Sequence, residues 1–417
     1  MAAGWRQPKY GRSPAPRDFR VLEEALKVLT FQAGYNTSVV LAGVIALGTG
    51  GGVIGVFPFL RKRAMISDAI SHATLPGIAL AFMAGVALGG TGRNLALLMA
   101  GAALTGAIGI LAVQWIRDRT RLAEDAAIGT VLSVFFGLGI VLLSHIQTME
   151  TGGQAGLNNF LLGSTAALTA GEAELIAVAS GIAIAVALLF LKEFGAVAFD
   201  EGFAAAQGWR VARVDLLMLT LLLAIVAIGL KTVGLILIIA LVIIPPAAAR
   251  FWTDRLGCMV VLSGAFGGLS GWIGGSVSAL VPDMPAGAVI VLAAAAIFAA
   301  SLLFAPPRGV IAWCIRRLRL RLRAAETRAL MAMGDGFQPP DGLAVRTARW
   351  RGFIGKDGQL TPAGATAAAV AARQQRLWQT YRQRHPDAAL SFNPLSGTRI
   401  EEALSPDIVA ELEGKRI

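Results

Sequence analysis

Between residues 37 and 305 the apolar positions follow neither one helical face nor an alternating strand pattern. They run on in blocks of roughly 17 to 25 residues, separated by short charged or Gly/Pro-containing connections. A block of that length covers a ~30 Å hydrocarbon core at ~1.5 Å per residue. Apolarity on every face is what a helix in lipid requires, because its backbone polar groups must be satisfied within the segment. Nine spans are read in this way, near 37–57, 64–87, 95–115, 126–144, 172–191, 214–230, 233–250, 258–280 and 286–305. The pattern changes outside them. Residues 1–36 form a tail with a short amphipathic stretch, Phe19 to Phe31, in which Val21, Leu22, Ala25, Leu26 and Leu29 share one side and suit a membrane interface. No apolar h-region of a cleaved signal peptide is present in it. Residues 306–323 are a basic juxtamembrane segment. Residues 324–417 are charged, broken at Pro339 and Pro340, and include a helix over Thr361 to Arg384 whose start is marked by Thr361 and Pro362. The fold class expected is an all-α polytopic membrane protein of about nine transmembrane helices, with a small α-rich C-terminal module.

Composition sharpens this picture. Only 15% of the 417 residues are charged and 55% are hydrophobic, against about 25% charged in soluble domains. The net charge of +11 does not call for nucleic acid, because the basic residues sort by loop. One set of loops carries Arg61, Lys62, Arg63, Arg117, Arg119, Arg121, Lys192, Arg210, Arg213, Arg250, Arg255 and the run Arg308 to Arg323; the alternate set carries only Arg93 and Lys231. The positive-inside rule makes the first set cytoplasmic, with the C-terminus inside and the segment His145 to Gly171 outside. It also leaves the basic N-terminal tail outside, unless one span is re-entrant. Cys258 and Cys314 have neither CxxC spacing nor an extracellular framework, so disulfides and thiolate metal sites are not expected. The chain has no G-x-x-x-x-G-K-[ST] loop and is not an ATPase. With His72, His145 and His385 as its only histidines it offers no enzyme constellation, and His145 reads as a surface residue. Glycine-rich patches at Thr49 to Gly55, Gly101 to Gly109 and Gly264 to Gly275 allow helices to approach closely in lipid.

Charged chemistry inside the spans is confined to a few places. Asp68 and His72 stand four apart on one face of the second span, with His72 roughly 12 Å deep. A carboxylate and an imidazole there are costly in hydrocarbon and are expected to face the bundle interior or a water-filled path. Pro76 has no N–H to return to the His72 carbonyl, which leaves a free oxygen beside the imidazole. Together they offer O and N ligands to a hard or borderline divalent cation. Spacing alone is equally compatible with a pair that only holds helices together through Ser67 and Ser71. Glu124 and Asp125 begin a span, where carboxylates complement the helix dipole. The segment Ala198 to Trp209 is too apolar for a free linker and too short and charged for a span, a composition suited to docking. Pro245 and Pro246 are expected to end the seventh span.

The string Ser-Asp-Ala-Ile-Ser-His-Ala-Thr-Leu-Pro-Gly-Ile-Ala-Leu-Ala-Phe, residues 67–82, resembles the signature of the zinc/manganese/iron permease family of ABC importers, and the likeness covers roughly residues 37–305. The stretch from Arg121 through Glu124 and Asp125 resembles the same family. The resemblance implies a permease subunit of a divalent-metal importer in the bacterial inner membrane, with Asp68 and His72 lining the metal path. It implies that the Ala198 to Trp209 loop is the coupling helix seated on the ATPase, with Asp200, Glu201, Phe203 and Gly208 in the contact. The metal ion is then the transported substrate, with no tightly bound cofactor. The implied partners are a cytoplasmic ABC ATPase, an extracytoplasmic metal-binding protein, and a second permease copy or sister permease. A permease for a siderophore or cobalamin would need a wide path without central ionisable ligands, which the Asp-His pair opposes; a proton-coupled carrier would work without an ATPase. Residues from about 350 to 413 partly resemble iron-dependent repressors of the diphtheria-toxin-repressor type, implying a degenerate winged-helix and dimerisation-like module. Its ligand positions are largely lost, with Gln375 and Gln379 in one motif and only Glu401 kept in the other. A membrane-tethered DNA-binding regulator is the remaining alternative, disfavoured because one span would suffice for tethering.

Overall fold

Each expected span is a helix. The computed structural model describes residues 27–28, 30, 32, 34–63, 65–90, 94–149, 168–281, 284–338, 342–385 and 399–413. The amphipathic stretch Phe19 to Phe31 lies almost wholly outside these residues, as do Arg93 and the break at Pro339 and Pro340. Among the described residues, eight helices are long and apolar enough to cross a membrane: α1 (Tyr35–Leu60), α2 (Met65–Ala87), α3 (Leu95–Arg119), α4 (Glu124–Gln147), α5 (Ala170–Leu189), α8 (Val211–Val233), α10 (Leu256–Leu280) and α11 (Ala286–Phe304). Between α5 and α8 lie the short helices α6 (Leu191–Phe199) and α7 (Glu201–Ala206). The ninth apolar helix, α9 (Leu235–Arg250), has 16 residues, about 24 Å of rise against a ~30 Å core. Gly234, at φ 82°, is the single residue between α8 and α9; a side chain in that left-handed conformation would be strained.

By its contacts the chain divides into two units, residues 1–309 and 310–417. In the first, α1 is the hub of a group containing α5, α9 and α10, while α2 packs against α3 and α4. Helix α8 touches both groups. Helices in lipid gain nothing from releasing water on contact, so close van der Waals fit has to hold them. The glycine patches supply that fit where backbones cross. A Cβ on Gly48 would come within 2.3 Å of the Gly267 carbonyl, and one on Gly77 within 2.0 Å of the Gly101 carbonyl. Ser263 Oγ donates to the Gly52 carbonyl at 2.6 Å, tying α10 to α1. Outward-facing residues of the bundle, such as Leu138, Val141 and Leu292, are apolar and exposed.

The prolines do not end their helices. Pro76 lies within α2, and α9 continues four residues past Pro246 to Arg250. Each proline removes one backbone bond, yet the neighbouring helices bury Pro76, Pro245 and Pro246 and packing keeps the helical path. The expectation that Pro245 and Pro246 terminate the seventh span is corrected accordingly.

In the second unit, α12 (Val310–Gly334) runs without interruption across residue 324, where a boundary was expected. Its second half packs Ala329 and Leu330 with Val345 and Ala348 of α13 (Leu343–Trp350) and with Ala368 of α14 (Pro362–Arg384). An antiparallel bridge joins Ile354 to Leu360. Thr361 caps α14 by accepting from Gly364 N at 3.1 Å, with Pro362 in its first turn. Leu377, Trp378 and Tyr381 of α14 meet Ile400 of α15 (Ile400–Ala403) and Val409 of α16 (Pro406–Leu412).

Overpacking at a helix crossing costs about 1–3 kcal/mol. We therefore expect Gly48→Ala to lower the thermal midpoint of the detergent-purified protein. Gly129→Ala, whose Cβ would meet nothing within 4 Å, is the control and should leave it unchanged or raise it slightly.

Candidate functional site

Asp68 lies in the first turn of α2 and His72 one turn further on, so both project from the same face. His72 Nε2 is 3.2 Å from Asp68 Oδ1. The imidazole meets the ring of Phe136 on α4 edge to face, with centroids 4.7 Å apart. Its Nδ1 is buried and has no hydrogen-bond partner. If Nε2–H donates to the carboxylate, Nδ1 presents a lone pair to which no donor is offered. That is an unusual state for a buried polar atom and one suited to a cation ligand. Ser71 and Thr74 do not complete the pair, since their hydroxyls donate to the backbone carbonyls of Ser67 and Ser71. Among the described residues, no group of three or more His, Cys, Asp and Glu side chains is arranged to hold a metal ion. Asp68 and His72 are therefore two donors, and a cation between them keeps open coordination positions.

A second charged cluster lies where α1 and α2 join. Lys62, with φ 60°, is the only non-glycine among the described residues with a positive φ, and the chain turns there so that Arg61 and Arg63 on either side reach the same carboxylates. Asp215, in the first turns of α8, is 1% exposed. It accepts from Arg61, from Arg63 Nη1 at 3.1 Å and from Arg117 Nη1 at 3.2 Å. Glu201 of α7 pairs with Arg61 and, at 3.1 Å, with Arg63. Glu124 at the start of α4 pairs with Arg63 Nε at 2.5 Å and lies 3.7 Å from Arg117 Nη1. Burial pushes the Arg61 guanidinium down to about 10, opposed by Asp215, and leaves it charged at neutral pH. Three arginines and three carboxylates thus balance in a site largely closed to water.

Several expectations change in this light. Arg61, Arg63 and Arg117 were read as loop cations; they are the cationic half of a buried network. Glu124 does stand in a first turn, but its partners are arginines in addition to the helix dipole. Asp215 was missed altogether, although a carboxylate inside the 214–230 span carries the same desolvation cost that drew attention to Asp68.

The connection between α5 and α8 folds as the short helices α6 and α7. Phe194 of α6 is buried against Phe57 of α1, with centroids 4.9 Å apart. Asp200 caps α7 by accepting from Phe203 N at 2.9 Å. Gly208, at φ 88°, ends α7: its N–H donates to the Ala205 carbonyl, and that of Trp209 to the Ala204 carbonyl, the paired bonds of a glycine-stopped helix. Glu201 is turned toward the arginines, while Phe199 and Phe203 stay exposed, at 62% and 57%. In the second unit Glu401, the remaining position of the repressor-like ligand pattern, is bonded to Arg373 at 2.8 Å and Gln374 at 2.6 Å.

Residues 35–305 match the ABC 3 transport family. The chain is 41% identical over 304 residues to the manganese transport system membrane protein MntC of Bacillus subtilis (strain 168), covering 73% of this chain and 68% of that protein. It is 38% identical over 292 residues to the zinc transport system membrane protein TroC of Treponema pallidum (strain Nichols), covering 70% of this chain and 96% of that one. Among solved structures, PsaBC from Streptococcus pneumoniae in complex with Fab is similar with a TM-score of 0.58 at 28% identity, over 69% of this chain and 97% of the other. The family match stops short of the second unit, and the repressor likeness of residues 350–413 gains no support.

Removing one partner of a buried ion network strands its opposite charges, at a cost of about 3–5 kcal/mol. Asp215→Ala should therefore sharply reduce the folded yield and thermal midpoint in detergent. Glu201→Ala, whose carboxylate is about half exposed, should lower them much less.

Proposed function

We propose, because this chain belongs to the ABC 3 transport family, that it is the permease subunit of an ATP-driven importer of divalent metal ions, manganese, zinc or iron(II), with Asp68 and His72 lining the path. ATP is hydrolysed by a separate ABC ATPase subunit, and an extracytoplasmic metal-binding protein delivers the ion. The observation that carries the site assignment is the buried, unpartnered Nδ1 of His72 beside Asp68 inside an apolar helix. The set is hard-to-borderline in character, matching ions that prefer oxygen and imidazole. Its incompleteness suits transport, because an ion that keeps some water or donors from a second permease copy can leave as easily as it enters.

The same reading gives the loop at α6 and α7 its role. Phe203 is exposed for contact with the ATPase on the cytoplasmic side, and Asp200 and Gly208 hold the ends of α7. Glu201 faces the other way, onto Arg61 and Arg63. Those arginines immediately precede α2, so a displacement of α7 by the ATPase bears directly on the helix that carries Asp68 and His72.

Elemental analysis of metal-starved cells expressing the chain with its ATPase and binding protein tests the assignment. One of manganese, zinc or iron should accumulate with the native chain, and accumulation should fall by at least tenfold in Asp68→Ala and His72→Ala with protein levels unchanged. Silent substitutions, or no response from any of the three metals, would reject the metal path. A separate measurement addresses coupling: Glu201→Gln in reconstituted vesicles should lower ions moved per ATP several-fold without loss of the assembled complex. An unchanged ratio would remove Glu201 from the coupling route.

A further inference from the structure

Among the described residues, none from Val310 to Arg323 is buried: the buried residues of α12 begin at Glu326. Yet this stretch is strongly sided. At 100° per residue, Ile311, Cys314, Ile315, Leu318 and Leu322 form one stripe. Arg319 and Arg321 flank the stripe on its two edges, and Arg316, Arg317 and Arg323 lie beyond them. Ile311, Ile315 and Leu318 are 41%, 44% and 56% exposed. Trp313 and Leu320 fall on the face opposite the stripe, 51% and 43% exposed, and the Arg317 guanidinium lies over the Trp313 ring at 4.9 Å. Among the described residues, no carboxylate pairs with Arg319, Arg321 or Arg323. An apolar stripe edged on both sides by arginines is the composition of a helix lying in the plane of a membrane surface.

The chain places this helix within reach of such a surface. Five residues separate Phe304, the end of α11, from Val310, and five residues span at most ~18 Å. The exit of α11 is itself tied down, since Arg308 Nη2 donates to Asp254 at 2.5 Å.

We propose that Val310 to Arg323 is an in-plane membrane-surface helix that binds anionic lipid headgroups at the face where α11 ends. The stripe around Leu318 enters the boundary between headgroups and acyl chains, while the arginines extend to lipid phosphates on either side. The second unit is thereby held against the membrane by its own first helix, independently of which metal the bundle carries.

The two cysteines of the chain, both exposed, give a direct test, because Cys314 lies on the apolar stripe. The full-length Cys258→Ser variant carries a nitroxide at Cys314 and is reconstituted in bilayers of phosphatidylcholine alone or with phosphatidylglycerol. Accessibility to oxygen is then compared with accessibility to a water-soluble nickel chelate. The expected result is a label shielded from nickel and open to oxygen in the anionic bilayer. Replacing Arg319, Arg321 and Arg323 with Ser should reverse this, weakening partition roughly a hundredfold at about fivefold per charge; replacing them with Lys should preserve it. A label equally open to nickel in both bilayers overturns the proposal. So does a label shielded equally in both and indifferent to the Ser replacements, which would mean that protein covers the stripe. An unchanged far-ultraviolet circular dichroism spectrum and thermal midpoint guard against misfolding of the Ser variant.

Discussion

Burying Asp215 inside an apolar bundle is tolerable only because three arginines converge on it, and that requirement fixes how several helices must meet. Asp215 comes from α8, Arg61 and Arg63 from the turn between α1 and α2, Arg117 from the end of α3, Glu124 from the start of α4 and Glu201 from α7. A closed set of this kind is a weak source of net stability, since an apolar replacement of equal shape could do as well. Its effect lies in specificity: any helix that slides or rotates leaves a charge without a partner in a medium that cannot solvate it. The apolar faces alone would not distinguish one sliding register from another so sharply.

The glycine crossings act on the same problem from the other side. Contact between Gly48 and Gly267, and between Gly77 and Gly101, brings helix backbones closer than any side chain would allow, but it sets distance better than register. With α1 held to α10 at one crossing and α2 to α3 at the other, the ion network at the α1–α2 turn is what relates the two groups of helices. Helix α8 carries Asp215 and packs on both. Asp68 and His72 stand on α2 a little beyond this junction, so their position inherits its precision from contacts that involve neither residue.

Much of this was legible in the chain. The spans could be read because a helix in lipid must be apolar on all faces over a known length, and Thr361 with Pro362 marked the start of α14 for equally local reasons. Asp68 and His72 could be singled out because the cost of charge in hydrocarbon is a property of position along a span. What could not be read was pairing across the fold. Arg61, Arg63 and Arg117 look like ordinary topogenic cations, and nothing local separates them from Arg119 or Arg121. Asp215 sits two residues after Arg213 at the edge of its span, where a carboxylate passes for a loop residue. The prolines misled for a related reason: Pro245 and Pro246 would end an isolated helix, but in α9 the surrounding helices enforce the path that the lost hydrogen bonds no longer do.

Precision at the junction and openness at Asp68 and His72, the proposed metal pair, are complementary. A site that must release its ion cannot be made selective by filling every coordination position, so its two donors have to be held in place by their surroundings. Phe136 fixes the plane of the His72 ring, the helix fixes its spacing from Asp68, and the charged turn fixes the helix. Asp68 is three residues, about 4.5 Å of rise, into α2 from Met65, and Arg63 lies just before that helix. The network at the start of α2 bonds directly to Glu201 on α7. On the proposed coupling role of this loop, a shift of α7 reaches α2 through the Glu201 pairs with Arg61 and Arg63, the half-exposed part of the network. Asp215, which bonds the same two arginines out of water, keeps them in place, and the Glu201 pairs add a direct connection from α7 to the start of α2.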